Sequence, residues 1–178
     1  MYDQPSQPSL TNLFGTVLIF VIVAAYGFVS LNTEDALWFW PKFEATPQEI
    51  VVFCYGDERI IEPGSSQFSE LTALTNETVS GRKNWDSLSI SDDTYTYYQT
   101  SPVVMVLELR YQYPVRIHSI YKYFSNVEAL VIPLEGRHSK TNAVFGRTGE
   151  KFTAGSLHIQ NTGALVDYLS SQEICTPP

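Results

Sequence analysis

The uncharged run Leu13–Leu31 constrains this chain more than anything else in it. It reads LFGTVLIFVIVAAYGFVSL. At ~1.5 Å rise per residue, a helix of that length spans roughly the ~30 Å hydrocarbon core of a bilayer. The residues after it read as an ordinary water-soluble domain. The spacing therefore predicts a polar tail over 1–12, a transmembrane helix over 13–31, an interfacial linker over 32–45 and a soluble domain over 46–178.

A cleaved signal peptide would carry a basic n-region, a shorter apolar core and a small-x-small cleavage site. Here the tail has no Lys or Arg, the apolar run is long, and Ala24-Ala25 sits in its middle. The expectation is a retained anchor. Trp38-Phe39-Trp40-Pro41 follows soon after, and Trp suits the headgroup layer, where its ring is buried and its N–H is wet. Within the span, Gly15 and Gly27 are small residues that permit close helix approach and form the candidate packing face.

Sidedness is weakly encoded. No basic residue precedes the span, and Lys42 is the first one after it. The Lys-poor, Ser/Thr/Tyr-rich domain and its two cysteines favour an extracytoplasmic location. Cys54 and Cys175 are either one disulfide or two separate thiols, since Cα separation cannot be read from sequence. One sequon, Asn76-Glu77-Thr78, occurs.

Roughly 130 residues beyond the linker are enough for one core. All eleven Lys and Arg lie from Lys42 onward, against sixteen of the nineteen acidic residues, so the domain remains acidic. With no basic stripe, that argues against nucleic acid and against binding an anionic membrane surface. Ile50–Tyr55 is β-branched and aromatic, hence a strand; Gly56-Asp57-Glu58 turns it back to Arg59–Glu62. Pro63-Gly64 breaks the chain, and Ser65 or Ser66 caps a helix to Val79 with Phe68, Leu71, Leu74 and Val79 as its stripe. A polar connection over 82–90 leads to a short helix over Thr94–Gln99. Val103–Tyr113 alternates two faces and is the expected central strand. Further strands are expected at Ile120–Phe124, Ala129–Leu134, Ala143–Phe145 and Lys151–Thr153, then Leu157 and Ile159 facing inward, then a final helix. The order predicts an α+β fold, a mostly antiparallel sheet with helices packed on one face.

Chemical motifs are sparse. Gly-x-Ser-x-Gly is absent, and His118, His138 and His158 lack metal-ligand spacing. Two cysteines cannot hold zinc alone. No catalytic, cofactor-binding or metal residue is predicted. Asp57-Glu58 and Asp92-Asp93 are explained by a turn and a helix start. The basic loop Arg137-His138-Ser139-Lys140 reads as a solvated hairpin tip. What remains is aromatic: Trp38, Trp40, Tyr111, Tyr113, Tyr121 and Tyr123, with Arg116, form a candidate interaction surface, since Tyr, Trp and Arg supply interface hot spots.

Tyr55–Arg59, Pro63–Phe68 and Val103–Ile117 together resemble single-span bacterial envelope proteins with an α+β domain. In these a hairpin, a Pro-Gly-Ser helix start and a long β run are followed by a short helix. The resemblance implies an envelope location and carries no functional residues. The expectation is a non-enzymatic accessory or structural subunit, or interaction module, of a membrane protein complex, with the bilayer and other membrane subunits as partners. An extracytoplasmic ligand-binding or sensing module is the alternative, and an envelope hydrolase using His118 or His158 stands behind both.

Overall fold

The computed structural model describes residues 9–177; residues 1–8 of the expected polar tail, and Pro178, lie outside the described residues. Helix α1 runs Leu10–Thr33, its first turn capped by Ser9, whose hydroxyl accepts from the Asn12 amide. It ends where Glu34 takes a left-handed conformation at φ 54°. The helix is long and apolar enough to span a membrane, and none of its apolar window is buried against the rest of the chain.

The elements that follow are β1 (Glu49–Cys54), β2 (Asp57–Ile61), α2 (Ser66–Val79), β3 (Asn84–Asp86), α3 (Asp92–Thr100) and β4 (Met105–Val115). Then come β5 (Val127–Glu135), β6 (Ala143–Thr148), β7 (Lys151–Phe152), β8 (Ser156–His158) and α4 (Gly163–Ser171). The strands form one sheet in the order β2-β1-β4-β5-β6-β8-β3, with β7 beside β6, and every pairing is antiparallel. The fold is α+β. The β1–β2 turn is made by Tyr55 and Gly56, both at positive φ, the mirror-image turn that matches strand twist.

Strand β4 sits between β1 and β5, with Leu107 opposite both Val52 and Ile132. Its alternation is as the sequence predicts. Met105, Leu107, Leu109 and Tyr111 belong to one core cluster; Val104 and Val106 belong to the other. Pro114 lies within the strand where the β4–β5 register slips between Arg110 and Val115, a place that needs no ladder N–H.

The first cluster packs the stripe of α2 (Phe68, Leu71, Val79) and of α4 (Leu165, Leu169) against the sheet. The second packs Tyr98 of α3, with Tyr95 at its edge, onto Val51, Phe53, Val106 and Phe145. Helices therefore cover both faces, not one. The reason is β4 itself: a strand apolar on both sides must be covered on both sides. Two further expectations are corrected. Ile120–Phe124 is not a strand; Ser119 Oγ donates to the Tyr121 carbonyl and accepts from the Tyr121 amide, closing a turn before a short 3₁₀ segment at Lys122–Phe124. And the 82–90 connection contains the edge strand β3, paired with β8.

Cys54 and Cys175 are joined by a disulfide across a separation of 121 residues, tying the end of β1 to the C-terminal tail. In the chain-entropy account a loop of that length removes about 4–5 kcal/mol from the unfolded state.

One charge lies in the core. Glu108, fully buried on the α3 side of β4, accepts from Arg110 Nε at 2.8 Å and from the Tyr95 hydroxyl at 2.6 Å. Arg110 also donates to Glu49 at 2.6 Å. Burial and the Glu108 bond push the Tyr95 phenol up to about 12, so it stays a donor. Arg110→Ala strands a buried carboxylate, and urea titration of the chain in detergent is expected to show a loss of about 3 kcal/mol. The E108L/R110L double variant removes both charges and is expected to lose less than R110A alone.

A second polar contact sits under α3. Tyr98 and His138 are hydrogen-bonded through the phenol and Nδ1. Burial, then the neighbouring Arg137, hold the imidazole below its ordinary value. The unfolded chain takes up this proton first as pH falls, so stability is full above the unfolded value of about 6.5 and declines below it. The urea midpoint is expected to drop between pH 7.5 and 5.0, and His138→Gln to flatten that part of the profile.

Candidate functional site

The site grows from the way the chain leaves α1. After Thr33 it reverses at Glu34 and folds back along the helix. The Tyr26 hydroxyl donates to the Ala36 carbonyl at 2.9 Å, and the Phe39 ring lies 6.4 Å from the Tyr26 ring. Seven residues separate Tyr26 from Thr33, so these aromatics stand about 10 Å back from the helix end. Asp35 fixes the reversal: its Oδ1 accepts from the Leu37 amide at 2.8 Å.

The domain grips this reversal just beyond β4. Arg116 donates to the Glu34 carbonyl at 2.7 Å, and His118 Nδ1 donates to Asp35 Oδ2 at 2.9 Å. Asp35 is buried, so the pair is shielded from solvent and salt more than a surface bridge. Asp35 and His118 are 83 residues apart, and no spacing rule in the sequence pairs them.

The rest of the expected linker is part of the domain. Phe43 is a core residue beside Tyr111, and its amide donates to Ser80 Oγ at 2.9 Å. Asn76, inside α2, bonds both polar groups of Ala45: Oδ1 accepts from the amide and Nδ2 donates to the carbonyl. The sequon asparagine is thus engaged by the linker, and Thr78 is buried. Gly81 and Lys83 both donate to the Pro41 carbonyl at 2.9 Å. The connection between α1 and the sheet is pinned along its length.

Between the folded-back aromatics and the segment 81–83 lies a cleft of about 320 Å³, lined by Trp38–Pro41, Gly81–Lys83 and His118–Ile120. Burial lowers the Lys83 ammonium below its usual value. The Trp38 indole N–H is buried without an acceptor.

The seven residues of the expected interaction surface do not share one face. Trp38, Trp40 and Arg116 belong to the cleft region. Tyr121 and Tyr123 stack on Trp85 of β3, with ring centroids 6.3 and 6.0 Å away. Trp85, placed by the edge strand missed in the sequence, also donates to the Ala154 carbonyl at 3.0 Å. Tyr113 is 73% exposed. Tyr111 is corrected: at 7% exposure it is a core ring, because β4 turns that face toward Phe43 and α2. Among the described residues the four tyrosines divide between the core, the Trp85 stack and solvent. Gly15 and Gly27 lie on α1 with open space at each Cβ position, but twelve residues of helix set them about 120° apart, so the expected single packing face is corrected to two separate positions.

The histidines are not isolated. His158 bonds the Thr141 carbonyl through Nδ1 and Asp86 through Nε2, and this contact holds the Asp86 carboxyl below its usual range. Both its nitrogens are engaged, so it has none free to shuttle a substrate proton. His118 has an orienting Asp, but the adjacent Ser119 hydroxyl is committed to Tyr121. Among the described residues no group of three His, Cys, Asp or Glu side chains is placed to hold a metal ion.

Asn76→Ala removes both bonds to Ala45. Hydrogen exchange of the 43–48 amides is expected to speed up, with a loss of about 1–2 kcal/mol and the sheet amides little changed. Comparison with protein-family models, with curated proteins and with solved structures gave no match, so the functional reading rests on this geometry.

Proposed function

We propose that this chain is a non-enzymatic, single-pass membrane-anchored domain that serves as an accessory or structural subunit of a membrane protein complex, its folded part on the extracytoplasmic side. The observation that carries this reading is the contrast at Thr33. On one side α1 is apolar, and none of its most hydrophobic window is buried in the domain. On the other, Arg116 and His118 clamp its exit to the sheet. A bare apolar helix of this size needs lipid or a partner. A clamped exit sets the domain at a fixed height and orientation, which suits docking against neighbouring subunits better than a loose tether does. The exposed aromatics Trp40, Tyr113 and Tyr123 supply contact surface, and Gly15 and Gly27 supply close-packing positions within the span.

The disulfide supports the extracytoplasmic side, because such bonds persist in oxidising compartments. The cleft of about 320 Å³ beside the exit favours a second reading, a ligand-binding or sensing module.

The test is purification from membranes in mild detergent. The chain is expected to resist alkaline carbonate extraction, to retain α1, and to elute well above its own 20.1 kDa plus micelle, with other membrane subunits. Cleavage of α1, or elution as a lone protomer, overturns the subunit reading. Thiol labelling with and without reductant reads the sidedness: Cys54 and Cys175 are expected to label only after reduction.

A further inference from the structure

The cleft beside the exit of α1 has a chemistry that anchoring leaves unused. One wall is aromatic, Trp38, Phe39 and Trp40; the other carries Arg82 and Lys83, and no carboxylate lines it. Among the described residues neither Arg82 nor Lys83 lies within ion-pair distance of an acid. The Lys83 ammonium donates to the carbonyls of Pro41 and Gly81 at 2.9 and 3.1 Å. Those bonds hold the cation at the cleft wall and leave its third N–H unpaired. Arg82 and Lys83 thus place two cations without an acidic partner on a cleft that no carboxylate lines.

Depth selects the ligand. Helix α1 has 24 residues, and at ~1.5 Å each it is about 36 Å long, more than the ~30 Å hydrocarbon core. The excess of about 6 Å puts its last turn in the headgroup layer. The fold-back places Phe39 against Tyr26, about 10 Å back from the helix end and so in the outer acyl layer beneath the headgroups. Phe39 and Trp40 are about half exposed, as is Ile120 across the cleft. A site for a soluble anion has no use for such an apolar rim, whereas a lipid with a charged head and acyl chains uses both parts.

The geometry points to a binding site for an anionic phospholipid of the surrounding bilayer, its phosphodiester held by Arg82 and Lys83, and its chains running past Trp38, Phe39 and Trp40. This rests on the membrane-anchored reading above. A bound headgroup would further fix the height at which the clamp presents the domain.

The experiment is native mass spectrometry of the full chain, released from nanodiscs containing equal phosphatidylglycerol and phosphatidylcholine. Retained phosphatidylglycerol is expected to exceed phosphatidylcholine. Arg82→Gln and Lys83→Gln are each expected to lower that excess about fivefold, in line with the strength of a basic group near an anionic surface. Arg82 is solvent-exposed, so R82Q keeps the test valid even where K83Q loosens the Pro41 contact; circular dichroism melts verify both folds. Equal retention of the two lipids, an excess that R82Q leaves unchanged, or displacement of lipid by free inorganic phosphate at millimolar level each overturns the site. A chain that never enters the nanodisc overturns the anchored reading and this site with it. A chain that enters but shows no lipid preference overturns the site alone.

Discussion

A strand apolar on both faces cannot stand at the edge of a fold. β4 is such a strand, and most of this structure follows from covering it. Its odd-numbered residues require α2 and α4 on one side; Val104 and Val106 require α3 on the other. Its length carries it past the core, through Pro114, to the segment whose Arg116 and His118 grip the end of α1. The centre of the sheet and the attachment to the apolar helix are thus parts of one stretch of chain.

The polar interactions divide by environment. Glu108 is buried and satisfied by Arg110 and Tyr95, so its removal or orphaning matters for folding. The exposed pairs Lys42–Glu44 and Arg59–Asp57, at 3.8 and 3.7 Å, contribute little. Asp35–His118 lies between these cases. Its value is geometric: with Arg116 it decides how the domain is oriented on its helix. The proposed accessory role uses that orientation, and the proposed lipid site stands beside it.

Reading the chain in order recovers the elements well where local rules dominate. The Ser65 cap, the helix start at Asp92-Asp93 and the two faces of β4 are all local or period-two features, and each is found where the residues place it, while the turn after β1 falls one residue earlier than expected, at Tyr55-Gly56. The failures share one cause. Ile120–Phe124 has strand composition but no partner strand, and Ser119 closes a turn there. Asn84–Asp86 has polar loop composition, yet β8 offers it an edge. Tyr111 and Tyr113 look alike in sequence, and only the position of α2 and Phe43 buries one and leaves the other in solvent.

Sequence alone determined that the chain has one apolar helix, an α+β domain and no recognisable catalytic motif, because periodicity, capping and composition are local properties. Tertiary structure decided the rest. It folded the linker back onto α1, brought Asp35 to His118 and Arg82-Lys83 to Trp38, and joined Cys54 to Cys175. Those contacts link residues tens to more than a hundred positions apart, and nothing in a one-dimensional pattern records which distant segments the closing of a sheet will bring together.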